Sequence, residues 1–336
     1  MLPFNLNHNG RTIAKVFSSN IEETARKQLC EMSELKGFLF IKAFPDIHGG
    51  NDFPVGYVMK TRDYFYPQLI GADIGCSVAG VPIKFPDSVS EEKYIDEIAH
   101  YVKDNFTNTT NLPSLGGGNH FFDISRDQNG QLWFVIHTGS RGIGGKMYSK
   151  IKKELDFHGL MGVNVRSRLY NFIIWQMFEE PRVVVWERNI FPMLESIKEA
   201  FDIRFNYDDM ILTEHNTIYQ NGRDVYHYKG ASRIPVSGNV MIPLSMEHGT
   251  LVVHVYKPEE LFYGINHGAG RAMRRREANE TLTEKDLEGV NYISDRLPID
   301  EAGKAYKNID KDMLWMEENG YISIVNKLMP IITVKE

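Results

Sequence analysis

Apolar residues along this chain fall into two kinds of run, one with helical spacing and one of strand composition. In "SSNIEETARKQLCEMSEL", Ile21, Ala25, Leu29 and Met32 share one face of an amphipathic helix, and Ser19 with Glu22 three positions on predicts a capping box at its start. Cys30 falls in that helix, where a small buried thiol is the expectation. "SEEKYIDEIAHYVKDN" repeats the helical pattern behind Ser90 as cap. By contrast "GFLFIKAF", "VGYVMK", "QLWFVIH", "DVYHY" and "TLVVHVY" are short runs of strand composition. Helical spacing dominates from about Gly144 to Phe205, in "GGKMYSKIKKELDFHG" and around "RSRLYNFIIWQMFEE", the second helix ending or kinking at Pro181. No long repeat, low-complexity tract or Pro/Gly/Ser-rich linker divides the chain, which predicts one α+β domain over residues 1–336.

Composition narrows the class. A chain of 336 residues with 42% hydrophobic and 12% aromatic content can bury a large core. The most apolar run, "YNFIIWQMF" from Tyr170 to Phe178, is far shorter than the ~20 residues of a membrane-spanning helix and predicts a buried helix instead, with no membrane partner. Two distant cysteines and an N-terminus without a signal peptide's basic and apolar segments point to the reducing cytoplasm. The net charge of −6 leaves any polyanion to be held by a local arginine cluster.

Five glycine-rich words stand at expected strand ends: "FPDIHGGNDFPVG", "GADIGCSVAG", "SLGGGNHFFD", "VIHTGSRGIGG" and "INHGAGRAMRRR". Histidine beside glycine at the end of a strand is rigidly based yet open to close approach. Asp73, Cys76, His120, His137 and His215 together supply carboxylate, thiolate and imidazole, the donors of a transition-metal site, and a thiolate can bridge two ions. Taken alone, Cys76 reads equally as an inert buried thiol, and each histidine as a surface or hydrogen-bonded core residue. His8, His100, His158 and His254 lack a glycine-rich setting, and His48 and His227 fall between the two groups. The glycine runs offer unobstructed backbone N–H groups for phosphate oxygens, or simply tight turns. Arg141 and the cluster Arg271, Arg274, Arg275 and Arg276 suit bidentate phosphate contacts, or a solvated helix face, with Arg271 and Arg275 four apart on one side of that helix.

In order along the chain, "FPDIHGGNDFPVG", "GADIGC", "GGGNHFFD", "IHTGSRG", "EHNT", "YHYKGA", "NHGAGR", "DEAGKAYKNID" and "TVKE" resemble the RtcB-type RNA ligases. That resemblance implies an α+β fold of mixed and antiparallel sheets surrounded by helices. It implies a GTP- and manganese-dependent enzyme that joins RNA ends bearing a 3'-phosphate or 2',3'-cyclic phosphate to 5'-hydroxyl ends, in tRNA splicing or RNA repair, through a guanylylated histidine. By the same resemblance Cys76 is shared by two Mn²⁺ ions, one also held by His137 and His215, the other by Asp73 and His120. His267 is the nucleotidylated residue, Asn119 touches the triphosphate, and Asp123, Ser245, Tyr306 and Lys335 hold the guanine nucleotide. Arg141, Arg271 and Arg275 grip phosphates of nucleotide or RNA. Neither the natural RNA nor an auxiliary activator is specified. The sequence departs from the family pattern at Asp123, where glutamate is usual, at Leu244 and Glu247, expected to crowd the nucleotide and add negative charge near phosphates, and at Tyr228, where arginine is usual. The same ligands also suit a two-metal phosphoesterase or a non-catalytic binder of broken RNA ends.

Overall fold

Two sheets carry the molecule, described here from a computed structural model over residues 2–109, 111–154 and 161–336. The first is six-stranded, with Phe4–His8, Arg11–Val16, Phe38–His48, Val55–Arg62, Asp224–Lys229 and Ile218–Asn221 side by side in that order. Its neighbours are antiparallel except Arg11–Val16 and Phe38–His48, which run parallel and are joined through helix Glu23–Met32. In the second, Ile211–Glu214, Ser77–Ile83, Leu132–Thr138, Phe121–Arg126, Ile322–Val334, Gly249–Val255 and Gly238–Ser245 follow one another, all antiparallel. The short strand Tyr292–Ile293 adds to Ile322–Val334 in parallel. The end strands Ile211–Glu214 and Gly238–Ser245 touch, so this sheet nearly closes on itself. The expected α+β class with mixed and antiparallel sheets is what forms.

Alternation of side chains across each strand divides the core. Ile41, Met59 and Tyr57 face helix Glu23–Met32 from one side of the six-stranded sheet, while Phe44, Val58 and Tyr228 meet Val240, Val253 and Met313 between the sheets. Helices Glu91–Phe106 and Phe191–Phe201 cover the outside of the closed sheet through Ile98, Val102, Leu194 and Ile197.

Four local expectations give way to tertiary contacts. Helix Glu23–Met32 starts after Glu22 without a capping box: the Ser19 N–H donates to Asp312 (3.0 Å), and the Glu22 carboxylate accepts from the Gly49 N–H (3.2 Å). Cys30 is half-buried rather than buried. Pro181 does not end its helix. Helical turns continue from Arg168 to Phe201, and Pro181 and Pro192 each sit in the first α turn after a π turn, at Trp175–Glu179 and Trp186–Ile190. A π turn does not use the i→i−4 bond that proline removes, so the missing N–H costs little there. Nor is "YNFIIWQMF" buried throughout: Tyr170, Ile173, Met177 and Phe178 face inward, but Phe172 is 46% and Trp175 67% exposed. Among the described residues no helix is long and apolar enough to cross a membrane. His158 and the end of the "GGKMYSKIKKELDFHG" pattern lie outside the described residues.

Candidate active site

Register brings the expected metal ligands together. Val78 pairs with His137, His137 with Phe121, and Ser77 with Glu214, so Cys76, His137, His120 and His215 come to one end of four adjacent strands. The His215 N–H donates to the Cys76 carbonyl at 2.9 Å. Potential ligand atoms of Cys76, His137 and His215 lie within 4.8 Å of one another, as do those of Asp73, Cys76 and His120, the two groups sharing the sulfur. Cys76 Sγ is 3.2 Å from His137 Nε2 and 3.5 Å from His120 Nε2.

The chemistry of this donor set fits a metal. Burial pushes the Cys76 thiol well above its ordinary pKa, with Asp73 adding to the effect, so a thiolate here calls for a cation. Burial also holds His137 and His215 well below the usual imidazole range and His120 down to about 3, leaving neutral rings able to donate lone pairs. His215 Nδ1 is buried without a hydrogen-bond partner, a costly state that coordination would relieve.

His267 follows the short strand Gly264–Asn266, which pairs with Ala231–Arg233. Its ring lies 4.7 Å from that of His215, which lies 5.3 Å from His137, itself 5.4 Å from His120, so four imidazoles form a continuous run. Nδ1 of His267 meets Asp46 Oδ2 at 2.9 Å and the Gly230 carbonyl at 2.7 Å. Both partners only accept, so the proton is assigned to Nδ1 and the lone pair to Nε2. Asp46 is fully buried, and glycines press against it: a Cβ on Gly56 (φ +97°) would lie 2.6 Å from its Oδ1, and one on Gly270 (φ +75°) 2.5 Å from its carbonyl. Asp46 lies within the "FPDIHGG" word, yet the sequence signals only its neighbour His48. That histidine donates from Nδ1 to the Asp46 carbonyl (2.7 Å) and lines the same cavity as His267.

Asn119, Asp123, Ser245, Arg271, Arg275, Tyr306 and Lys335 all line this cavity of about 240 Å³ with His267. Glu301, which the sequence does not flag, organises it. Its buried carboxylate takes Arg275 at 2.5 Å, Arg271 at 3.3 Å, the Tyr306 hydroxyl at 2.5 Å and Lys335 at 3.5 Å. Lys335 Nζ also donates to the His120 carbonyl (3.0 Å). Asp123 accepts from Thr333 Oγ1 at 2.6 Å, and burial raises its carboxyl to about 7 against the pull of Thr333 and Lys335. Arg141 stands apart from the cavity lining, its Nε on Ser114 Oγ at 3.1 Å. Arg141 and Arg275 approach the glycine run at Gly116 and Gly118 respectively.

Several expectations are corrected. Arg271 and Arg275 do not share a helix face: the helix begins at Arg275, and Arg271 bridges to Tyr306, so the shared Glu301 rather than helical spacing unites them. Leu244 does line the cavity, but Glu247 turns into an adjoining groove beside Gly303 and Lys304. Tyr228 is fully buried between the sheets with its hydroxyl on the Phe262 carbonyl, away from the cavity. His227 is a core residue, accepting from the Tyr66 N–H at 3.0 Å and stacked on Phe65.

Imidazoles and a cysteine at the ends of an antiparallel sheet, opening on an arginine-lined cavity, define an α+β protein with a metal-type donor set beside an anion-receptive pocket. A family model described as tRNA-splicing ligase RtcB matches residues 28–111, 95–169 and 183–336, and the chain belongs to that family. The RNA-splicing ligase RtcB of Escherichia coli K12 is 25% identical over 391 aligned positions, covering 94% of this chain and 95% of that protein. RtcB2 of a second Escherichia coli strain is also 25% identical, with 94% and 93% covered. The tRNA-splicing ligase RtcB of Thermococcus kodakarensis is 25% identical over 67% of this chain and 59% of its own length.

Proposed function

We propose that this protein is an RNA ligase of the RtcB type, with residues 1–336 acting as one catalytic domain in the cytoplasm, joining RNA 3'-phosphate or 2',3'-cyclic phosphate ends to 5'-hydroxyl ends at the expense of GTP. The observation that carries the reading is the contact of His267 with His215, which sets an Asp46-oriented imidazole between the Cys76 cluster and the cavity.

Nε2 of His267 attacks the α-phosphorus of GTP, forming a P–N bond as the P–O bond to pyrophosphate breaks. Asp46 and the Gly230 carbonyl keep the proton on Nδ1 and stabilise the positive charge that develops on the ring. Arg271 and Arg275 neutralise phosphate oxygens, with Asn119 at the triphosphate. Asp123, Ser245, Tyr306 and Lys335 hold the guanine nucleoside. Two Mn²⁺ ions, held by Cys76 with His137 and His215 and by Cys76 with Asp73 and His120, would supply Lewis-acid charge to non-bridging oxygens. A 2',3'-cyclic end is first opened by water to the 3'-phosphate. An oxygen of that phosphate then takes GMP from His267, the P–N bond breaking as the phosphoanhydride forms, with Arg141 as a phosphate contact. The 5'-hydroxyl attacks that activated end and releases GMP.

Incubation with labelled GTP and manganese tests this reading. The expected result is a covalent protein–GMP adduct that His267→Ala abolishes. No adduct at any manganese concentration, with GTP-independent phosphate release persisting in His267→Ala, would replace the ligase by a phosphoesterase.

A further inference from the structure

Away from the cavity, the six-stranded sheet carries a cationic and aromatic surface to which the proposed reaction assigns no part. Lys15 and Lys42 are directly opposite each other on the parallel strands Arg11–Val16 and Phe38–His48. Lys15 Nζ lies 5.3 Å from the ring centre of Phe17 and 5.4 Å from that of Tyr321, whose hydroxyl it meets at 3.0 Å. Lys42 Nζ lies 5.9, 5.5 and 5.2 Å from the rings of Phe17, Phe40 and Phe262. Among the described residues neither ammonium has a carboxylate at ion-pair distance, whereas nearby Lys60 is paired with Asp224 at 2.8 Å. Two like charges facing each other across a strand pair are destabilising by themselves. Burial, with Lys15 adding to it and only Glu260 opposing, lowers the Lys42 ammonium to about 8.

The rings are held there at a backbone cost. Phe262 and Tyr263 are consecutive aromatic residues in the left-handed region, at φ +56° and +58°, where bulky side chains are rare and local strain is stored. Phe262 thereby reaches Phe40 (6.2 Å) and Tyr226 (5.7 Å) from the loop that leads within four residues to His267. Phe40, Phe262 and Tyr321 remain half-exposed. Unpaired ammoniums beside exposed ring faces match a strand that offers phosphates and bases together.

We propose that Lys15 and Lys42, with Phe40, Phe262 and Tyr321, form a secondary contact for single-stranded RNA, phosphates at the ammoniums and bases on the rings. The contact rests on the ligase reading for its biological meaning. Lys42 precedes Asp46 by four residues on one strand, ~13 Å at ~3.3 Å per residue, so it meets RNA away from the reacting end.

Fluorescence anisotropy with a labelled single-stranded RNA bearing a 3'-phosphate, between 50 and 200 mM salt, tests the proposal on wild type, Lys15→Ala/Lys42→Ala, Lys15→Gln/Lys42→Gln and Lys15→Arg/Lys42→Arg. Removing both charges is expected to weaken RNA binding about tenfold at low salt and to flatten the log–log salt slope by about 1.4, two phosphates at ~0.7 each. The arginine pair is expected to keep both properties, and GMP-adduct formation to stay at the wild-type level throughout. Unchanged affinity and slope in the glutamine pair would overturn the contact. So would a defect confined to binding of phosphatidylserine vesicles. A slope change in a protein that forms no GMP adduct would leave the contact standing and remove the ligase reading.

Discussion

At the scale of single residues, Asp46 and Asp123 are two carboxyls in opposite roles. Asp46 sets the tautomer of His267 and would face the charge its ring acquires in the proposed attack on GTP. Asp46→Asn keeps the shape but not the charge, and the initial rate of GMP-adduct formation is expected to fall by about 10²–10⁴, with the thermal midpoint nearly unchanged. Burial lifts the Asp123 carboxyl to about 7, so it is partly protonated at neutral pH, whereas the guanine N–H groups it would hold in the proposed nucleotide site require the ionised form. GTP affinity is therefore expected to rise between pH 6 and 8, and Asp123→Asn to make calorimetric affinity flat across that range. The same shift has a stability sign. Between about pH 4 and 7 the folded protein keeps a proton that the unfolded chain has lost, so this group's contribution to stability falls as pH rises and is recovered below about pH 4.

At the scale of elements, the helix after Ser167 separates composition from burial. Ile173 is fully buried against Phe65 and Met177, while its neighbour Phe172 is 46% exposed. In urea denaturation Ile173→Ala is expected to cost about 2–4 kcal/mol, and Phe172→Gln to stay within roughly 0.5 kcal/mol. The loop after strand Gly264–Asn266 is constrained differently. Gly270→Ala requires a positive φ of a residue with a Cβ and drives that Cβ onto the Asp46 carbonyl, so about 1–3 kcal/mol is expected to be lost. Because the displaced residue is Asp46, whose carboxylate orients His267, adduct formation is expected to fall further than global unfolding explains.

At the scale of the whole molecule, the site exists because segments far apart in the chain end at the same place. The cluster takes Asp73 and Cys76 from before one strand, His120 from before another, and His137 and His215 from the ends of two more. The long strand Ile322–Val334 pairs first with Gly249–Val255 and then with Phe121–Arg126, which delivers Lys335 to Glu301 and the cavity. A cation binding such a site favours the folded state by mass action. Scanning calorimetry is expected to give a higher midpoint with Mn²⁺, worth about 2.7 kcal/mol per site at a hundredfold excess over Kd, reversed by chelator and sharply reduced in Cys76→Ser.

Much of this protein was legible from its residue order. Runs of strand composition located the strands Phe38–His48, Leu132–Thr138 and Gly249–Val255, and helical spacing behind Ser90 the helix Glu91–Phe106, because β-branched and aromatic clusters and 3.6-residue spacing are local signals of how a segment is buried. The glycine- and histidine-rich words marked the site, because unusual backbone and donor side chains leave a local trace. Asp46 and Glu301 left none: a buried aspartate or glutamate looks like any surface acid until its partners, in these cases more than 200 and about 30 residues away, are brought beside it. Likewise the capping box, the fate of Pro181 and the separation of Arg271 from a helix were decided by packing. Sequence determined which groups are available and in what local conformations; tertiary structure alone decided which are desolvated together, since burial and charge pairing depend on distances that residue order does not contain.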